Sequence, residues 1–136
     1  MSWSKGEWVE DYVAIQLERN GWKIAARNFR RRGFELDIIA RKNDRLICIE
    51  VKGRRHADHF DPALLLSPRK IQRLSYGMSA WLQMAACNEV ANTEFWLCYV
   101  GLSRTAGEKA EPVAVYWMRL ETSGEKDREE FLSEKN

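Results

Sequence analysis

The stretch Glu35-Leu36-Asp37-Ile38-Ile39-Ala40-Arg41-Lys42-Asn43-Asp44-Arg45-Leu46-Ile47-Cys48-Ile49-Glu50-Val51-Lys52 decides the reading of this chain. Two isoleucine-rich runs flank a polar centre at Asn43-Asp44, which tolerates positive φ and suits a tight hairpin turn. With the turn there, Lys42 faces Arg45, Asp37 faces Glu50 and Glu35 faces Lys52. Strand alternation then puts Glu35, Asp37, Glu50 and Lys52 on one face, and Leu36, Ile38, Ala40, Ile47, Ile49 and Val51 on the other. The apolar face must pack on a core. That fixes the register, because a slip of one residue would bury the carboxylates instead.

Opposed carboxylates in a strand pair have Cβ atoms about 5 Å apart, and at an effective dielectric near 20 they repel by roughly 3 kcal/mol. Glu35, Asp37 and Glu50 stand against the single ammonium of Lys52, so a divalent cation is the natural counter-ion. Hard oxygen donors without cysteine select Mg²⁺, Mn²⁺ or Ca²⁺ over zinc, and Mg²⁺ takes one or two carboxylates plus waters and phosphate oxygens. The competing reading is a salt-bridge lattice on half-buried strands.

Outward from the hairpin, Ser4-x-x-Glu7 forms a capping box ahead of Trp8, Val9, Tyr12, Val13, Ile15 and Leu17, which predicts a helix to about Asn20-Gly21. Residues 22–31 are mixed and basic, Gly33 punctuates, and strands follow at about 35–41 and 45–52. The polar segment from Gly53 to Pro62 reads as a loop. Ser67-Pro68 then offers an N-cap and a first-turn proline before Ile71, Leu74, Met78, Trp81, Leu82 and Ala85, a second and longer helix. Strands at Glu94–Gly101 and Pro112–Leu120 complete the order αβββαββ. The expectation is a single α/β domain over residues 1–120, a central mixed β-sheet flanked by helices, with a charged tail at 121–136.

That tail carries six acidic and three basic side chains, so the formal net charge of +2 becomes +5 over the rest. The positive charge is clustered in Arg27, Arg30-Arg31-Arg32, Arg41, Arg54-Arg55, Arg69-Lys70 and Arg73, which suits a polyanion. For any single cluster a solvated basic surface is the better explanation, and the clusters gain weight only through where they fall. No segment has the roughly 20 apolar residues that span a bilayer, and the N-terminus lacks a secretory pattern, so a cytoplasmic protein without a membrane partner is expected. The absence of a G-x-G-x-x-G or G-K-[ST] loop argues against dinucleotide and nucleotide-triphosphate binding.

Asp37 followed by Glu50-Val51-Lys52 on the next strand resembles the D…(D/E)-x-K signature of the PD-(D/E)XK nuclease superfamily, with Leu36 in place of the proline. Gly6-Glu7, Glu35 to Ala40, Glu50 to Arg54, Lys70 and Arg73-Leu74 together resemble the small bacterial YraN-like family, over about residues 6 to 100. Phe34 stands where that family usually has a second glycine, and the chain departs from it after Gly101. The resemblance implies a restriction-endonuclease-like fold akin to Holliday-junction resolvases, and a metal-dependent endonuclease acting on nucleic acid, DNA being favoured. It implies Asp37, Glu50 and the main-chain carbonyl of Val51 as ligands to Mg²⁺, with Mn²⁺ as substitute, and Lys52 as the catalytic lysine. Glu7 would approach from the first helix, and Glu35 would be an additional acidic group. Arg30, Arg31, Arg32, Arg54, Arg55 and Lys70 would meet the nucleic acid, and a homodimer is compatible with the likeness to resolvases.

Several of these residues have plainer explanations. The capping box accounts for Glu7 completely, and Asp11 shares its ambiguity. His56, Asp58, His59 and Asp61 lack the third matched ligand that zinc requires. Cys48, Cys87 and Cys98, odd in number and far apart, read as core residues rather than disulfides. The six tryptophans fall mostly on apolar faces and read as core packing. The alternative to an enzyme is a non-cleaving nucleic-acid-binding or DNA-processing accessory protein that keeps the nuclease fold.

Overall fold

The computed structural model describes residues 5–55, 67–85, 92–103 and 110–120, with residues 5–7 by main chain only. The elements are α1 (Lys5–Arg19), β1 (Lys23–Arg31), β2 (Phe34–Lys42), β3 (Arg45–Arg55), α2 (Pro68–Ala85), β4 (Asn92–Leu102) and β5 (Pro112–Leu120). The order is αβββαββ, as the sequence predicts. All five strands form one sheet in the order β1-β2-β3-β4-β5. β3 and β4 run parallel while the other neighbours are antiparallel. A parallel pair needs a crossover of a dozen residues or more, and α2 lies in that connection. The result is a single α/β domain with a mixed sheet, consistent with the restriction-endonuclease-like fold.

The hairpin turn forms where Asn43-Asp44 predicts it, with Asn43 at φ 57°. Pairing runs from Lys42–Arg45 to Ile38–Ile49 in the expected register. α1 is closed off by the turn at Gly21, whose φ of 90° suits a glycine, and Trp22 N–H bonds back to the Leu17 carbonyl at 3.0 Å. Lys42 Nζ donates to the Asn20 carbonyl at 2.8 Å, tying the hairpin to that helix end. Ser67 caps α2 through its hydroxyl, which accepts from Lys70 N–H at 3.1 Å.

Both faces of the sheet are covered. Val9, Val13 and Leu17 of α1 pack on Ile38, Ala40, Ile47, Ile49, Val51, Trp96, Cys98 and Val100. Leu74, Met78 and Trp81 of α2 pack on Leu36, Ile39, Leu46, Cys48 and Leu97. Two glycines permit the close approach. A Cβ on Gly53 would lie 2.9 Å from Val9 Cγ2, and one on Gly77 would lie 2.7 Å from Phe34 Cδ1 and 2.9 Å from Leu36 Cδ2.

Three expectations are corrected here. The carboxylate face of the hairpin is not half-solvated: Asp37 and Glu50 are buried, at 8% and 3% exposure. Leu36 does not share a layer with Ile38, since it joins the α2 cluster while Ile38 joins the α1 cluster. Sheet alternation is broken around Asp37. Asn28, at φ 52°, stands in β1 between the pairs Arg27–Ile38 and Phe29–Leu36, beside that break. β3 also outlasts its expected end, because Gly53 to Arg55 stay paired with Val100 to Leu102 of β4. The remainder of the expected 53–62 loop, the histidines in it, Cys87 and the 121–136 tail lie outside the described residues.

Candidate active site

β2 and β3 part company beyond Ile38–Ile49. From Glu50 onward β3 pairs only with β4, which leaves the Val51 amide on the β2 side without a ladder carbonyl. Asp37 fills that role: its Oδ2 accepts the Val51 N–H at 2.9 Å. The carboxylate thus sits in the fork between the strands, tied to the main chain of the Glu50-Val51-Lys52 segment. A buried amide left without an acceptor would cost about 1–3 kcal/mol, so this bond holds both strands in place.

Glu50 is the second buried acid. Its Oε2 faces two ammonium groups, Lys52 Nζ at 3.3 Å and Lys70 Nζ at 3.4 Å. Its Oε1 is buried and has no hydrogen-bond partner among the described residues. Lys52 comes from two residues along the same strand, and Lys70 from the first turn of α2, whose main chain the Ser67 cap fixes. Burial pushes Asp37 up to about 7; the nearby Glu50 carboxylate adds to the rise and the Val51 amide opposes it, with smaller raising contributions from Glu10 and Glu35. A buried acid held that high is poorly compensated, as catalytic and cation-binding groups often are.

The fold and this fork can be set beside known proteins. The family described as "Uncharacterised protein family UPF0102" matches residues 9–100. The chain belongs to the UPF0102 family. UPF0102 proteins, the YraN-like family of the sequence analysis, fall in the PD-(D/E)XK-like nuclease superfamily. A UPF0102 protein of Geobacter sulfurreducens is 45% identical over 73 residues, which cover 54% of this chain and 57% of that relative. One from Acidothermus cellulolyticus is 40% identical over 89 residues, 65% of this chain and 67% of the relative. One from Syntrophomonas wolfei is 37% identical over 78 residues, 57% and 68% respectively. The matched stretch therefore spans less than two thirds of the Geobacter protein.

In this UPF0102 chain the structure brings Asp37, Glu50, Val51, Lys52 and Lys70 together, and sets other expected residues apart. Glu35 does not face Lys52. It pairs across β1 with Arg30, whose Nε donates to Glu35 Oε2 at 3.1 Å, on the exposed side of the sheet edge. Arg31 lies over the Phe29 ring at 4.5 Å and reaches Met84 Sδ at 3.5 Å. Arg32, in the β1–β2 turn, and Arg54 and Arg55, at the end of β3, are exposed. The Glu7 side chain lies outside the described residues. Asp11 is held by Arg27 at 2.7 Å.

One acid was missed by the sequence reading. Glu10, three residues after Glu7 on α1, is raised by burial against the lowering by Arg27 at 4.0 Å, and feels both Glu35 and Glu50. The helical spacing from Glu7 was the available signal.

The donor set fits a small hard cation. Glu50 Oε1 is an orphaned buried oxygen, and Asp37 is a poorly compensated carboxylate in the adjoining fork. Among the described residues no three His, Cys, Asp or Glu side chains are grouped so as to hold a metal by themselves. Among the described residues no helix is long and apolar enough to cross a membrane.

Proposed function

We propose that this UPF0102 protein is a divalent-cation-dependent nuclease that hydrolyses phosphodiester bonds in nucleic acid, DNA first among the substrates, in the cytoplasm. The observation that carries the reading is the buried Asp37–Glu50 pair, with one Glu50 oxygen bare and the other on Lys52. Asp37, Glu50 and the Val51 carbonyl would hold Mg²⁺ or Mn²⁺. When bound, such an ion lowers the pKa of a coordinated water and neutralises charge gathering on the phosphate.

The chain's own residues divide the remaining work. Asp37 fixes the Glu50-Val51-Lys52 segment through the Val51 amide, so the acidic and cationic groups keep one geometry. Lys52 orients the attacking water and stabilises charge on the phosphate as an ammonium, which acts well as a point charge without giving up its proton. Arg32, Arg54 and Arg55, exposed at the ends of the hairpin strands, meet flanking phosphates.

A second reading, a nucleic-acid-binding accessory protein that does not cleave, draws on the two lysines that rest on Glu50 without any metal. In that arrangement Glu50 draws its counter-charge from the protein itself. Incubating the full chain with MgCl₂ or MnCl₂ and a panel of branched, single-stranded and duplex DNA separates the two. Cleavage that disappears in Asp37→Asn is expected. Intact DNA throughout, with binding retained, would leave the accessory reading standing alone.

A further inference from the structure

Glu50 presents two chemically unequal oxygens. Oε2 faces the ammonium groups of Lys52 at 3.3 Å and Lys70 at 3.4 Å, whereas Oε1 is buried with no hydrogen-bond partner among the described residues. A carboxylate that keeps both oxygens free can grip one cation with both; one whose second oxygen is occupied can offer a single donor. Lys70 is the external half of that occupation. It reaches Glu50 from a different element, and the Ser67 cap on its own amide fixes the turn that delivers it. Its nitrogen sits on the acid while a third of the side chain stays exposed.

We propose that Lys70 is a positioning residue that sorts the two oxygens of Glu50, restricting it to one-oxygen coordination and so selecting Mg²⁺ and Mn²⁺ over Ca²⁺. Ca²⁺ takes six to eight oxygens in flexible geometry and readily uses both oxygens of a carboxylate. Mg²⁺ and ions of similar demand favour a tight octahedron built from single oxygens and waters. The ammonium groups of Lys52 and Lys70 together on Oε2 penalise the first arrangement and leave the second intact, and without Lys70 the oxygen keeps only Lys52 and can turn toward a cation. The inference rests on the cation reading of this site.

Because Mn²⁺ and Ca²⁺ carry the same charge, removing the charge of Lys70 moves both affinities together, and their ratio isolates the geometric effect. Titration calorimetry of MnCl₂ and of CaCl₂ into the full-length chain, with no nucleic acid present, measures that ratio. Wild type is expected to prefer Mn²⁺. Lys70→Met is expected to lower the preference about tenfold, the size typical of losing a partner that orients a metal ligand, while Lys70→Arg keeps it within about twofold. Lys70 is partly exposed in a first helical turn, and a melting curve establishes that the variant is folded.

A Lys70→Met protein with an unchanged ratio overturns the inference, and a wild type that binds Mn²⁺ and Ca²⁺ equally overturns it without any variant. In both cases the cation reading survives. A wild type that takes up neither ion overturns both.

Discussion

Asp37 and Val51 are joined across the fork between β2 and β3 by a side-chain-to-main-chain hydrogen bond of 2.9 Å, at the point where the ladder between those strands has ended. One oxygen of the acid therefore serves the fold, and the rest of the carboxylate is what chemistry has to work with. Replacing it by asparagine keeps an acceptor for the amide while removing the charge. Asp37→Asn is expected to fold, to melt higher than wild type at pH 8 without metal, and to lose at least about a hundredfold in phosphodiester cleavage. Parallel melting and cleavage assays check this, and full activity in the variant would sink the assignment of Asp37.

The raised pKa of Asp37 fixes a pH dependence. Its folded value of about 7 lies above the ordinary carboxylate range, so the folded protein binds more protons than the unfolded chain between about pH 4 and 7. The stabilising contribution is full at the acid end of that window and is lost as the pH rises through 7. Metal-free wild type should thus lose stability relative to Asp37→Asn between pH 5 and 8, by an amount of the order of a few kcal/mol. Added Mg²⁺ should raise the melting temperature more at pH 8 than at pH 5. Urea unfolding across pH measures both.

Glu94 offers a test confined to stability. It is buried, takes both Nε and Nη2 of Arg45 at 2.9 and 2.8 Å, and accepts from Trp96 Nε1 at 2.9 Å. Burial opposes its ionisation, but these bonds hold it below the usual carboxylate range. Glu94→Gln should cost about 2 kcal/mol at pH 7, since the Arg45 fork loses its charged partner. The difference should shrink as acid protonates the wild-type glutamate. Cleavage at saturating metal should stay near wild type, because Arg45 and Glu94 lie at the hairpin-turn end of the sheet.

Gly77→Ala probes how α2 seats the strand that carries Asp37. Helix propensity favours alanine by about 1 kcal/mol. Against that, the new methyl would stand under 3 Å from Phe34 and the buried Leu36, and overpacking of a core costs about 1–3 kcal/mol. The clash should win, with a net loss in urea unfolding. Cleavage should fall further than stability does, since Leu36 is the chain neighbour of Asp37.

If the exposed arginines meet phosphates, binding must weaken with salt in proportion to their number. Arg32→Ala and Arg55→Ala should each lower the slope of log affinity against log salt by about 0.9 on duplex DNA. Fluorescence anisotropy over a salt series measures that slope. Unchanged slopes would place the nucleic acid elsewhere on the surface.

The element order, the hairpin turn and its register were readable because each rests on local chemistry: the Asn43-Asp44 centre, the Ser67-Pro68 helix start, and the alternation of Ile38, Ala40, Ile47 and Ile49. The fork was not. Whether Asp37 continues the ladder or bonds the Val51 amide depends on β4 holding the far side of β3, a contact between Glu50 and Leu97 that no local pattern announces. Burial of the acids was missed for the same reason, since α2 covers the face that the hairpin alone would leave to water. Glu35 was misplaced because β1 competes for it, offering Arg30 directly across the strand. The convergence of Lys70 on Glu50 depends on how α2 returns over the sheet, which no local pattern announces.

The long parallel pairing of β3 with β4 bears on the order in which the protein is made. Asp37 and Glu50 emerge close together and their hairpin can close early, yet Glu50 to Arg55 have no ladder partner until Leu97 to Leu102 have been synthesised. A nascent chain that ends before β4 carries the full signature in its sequence with half of it unanchored. The site is completed by the strand that contributes none of its charged residues.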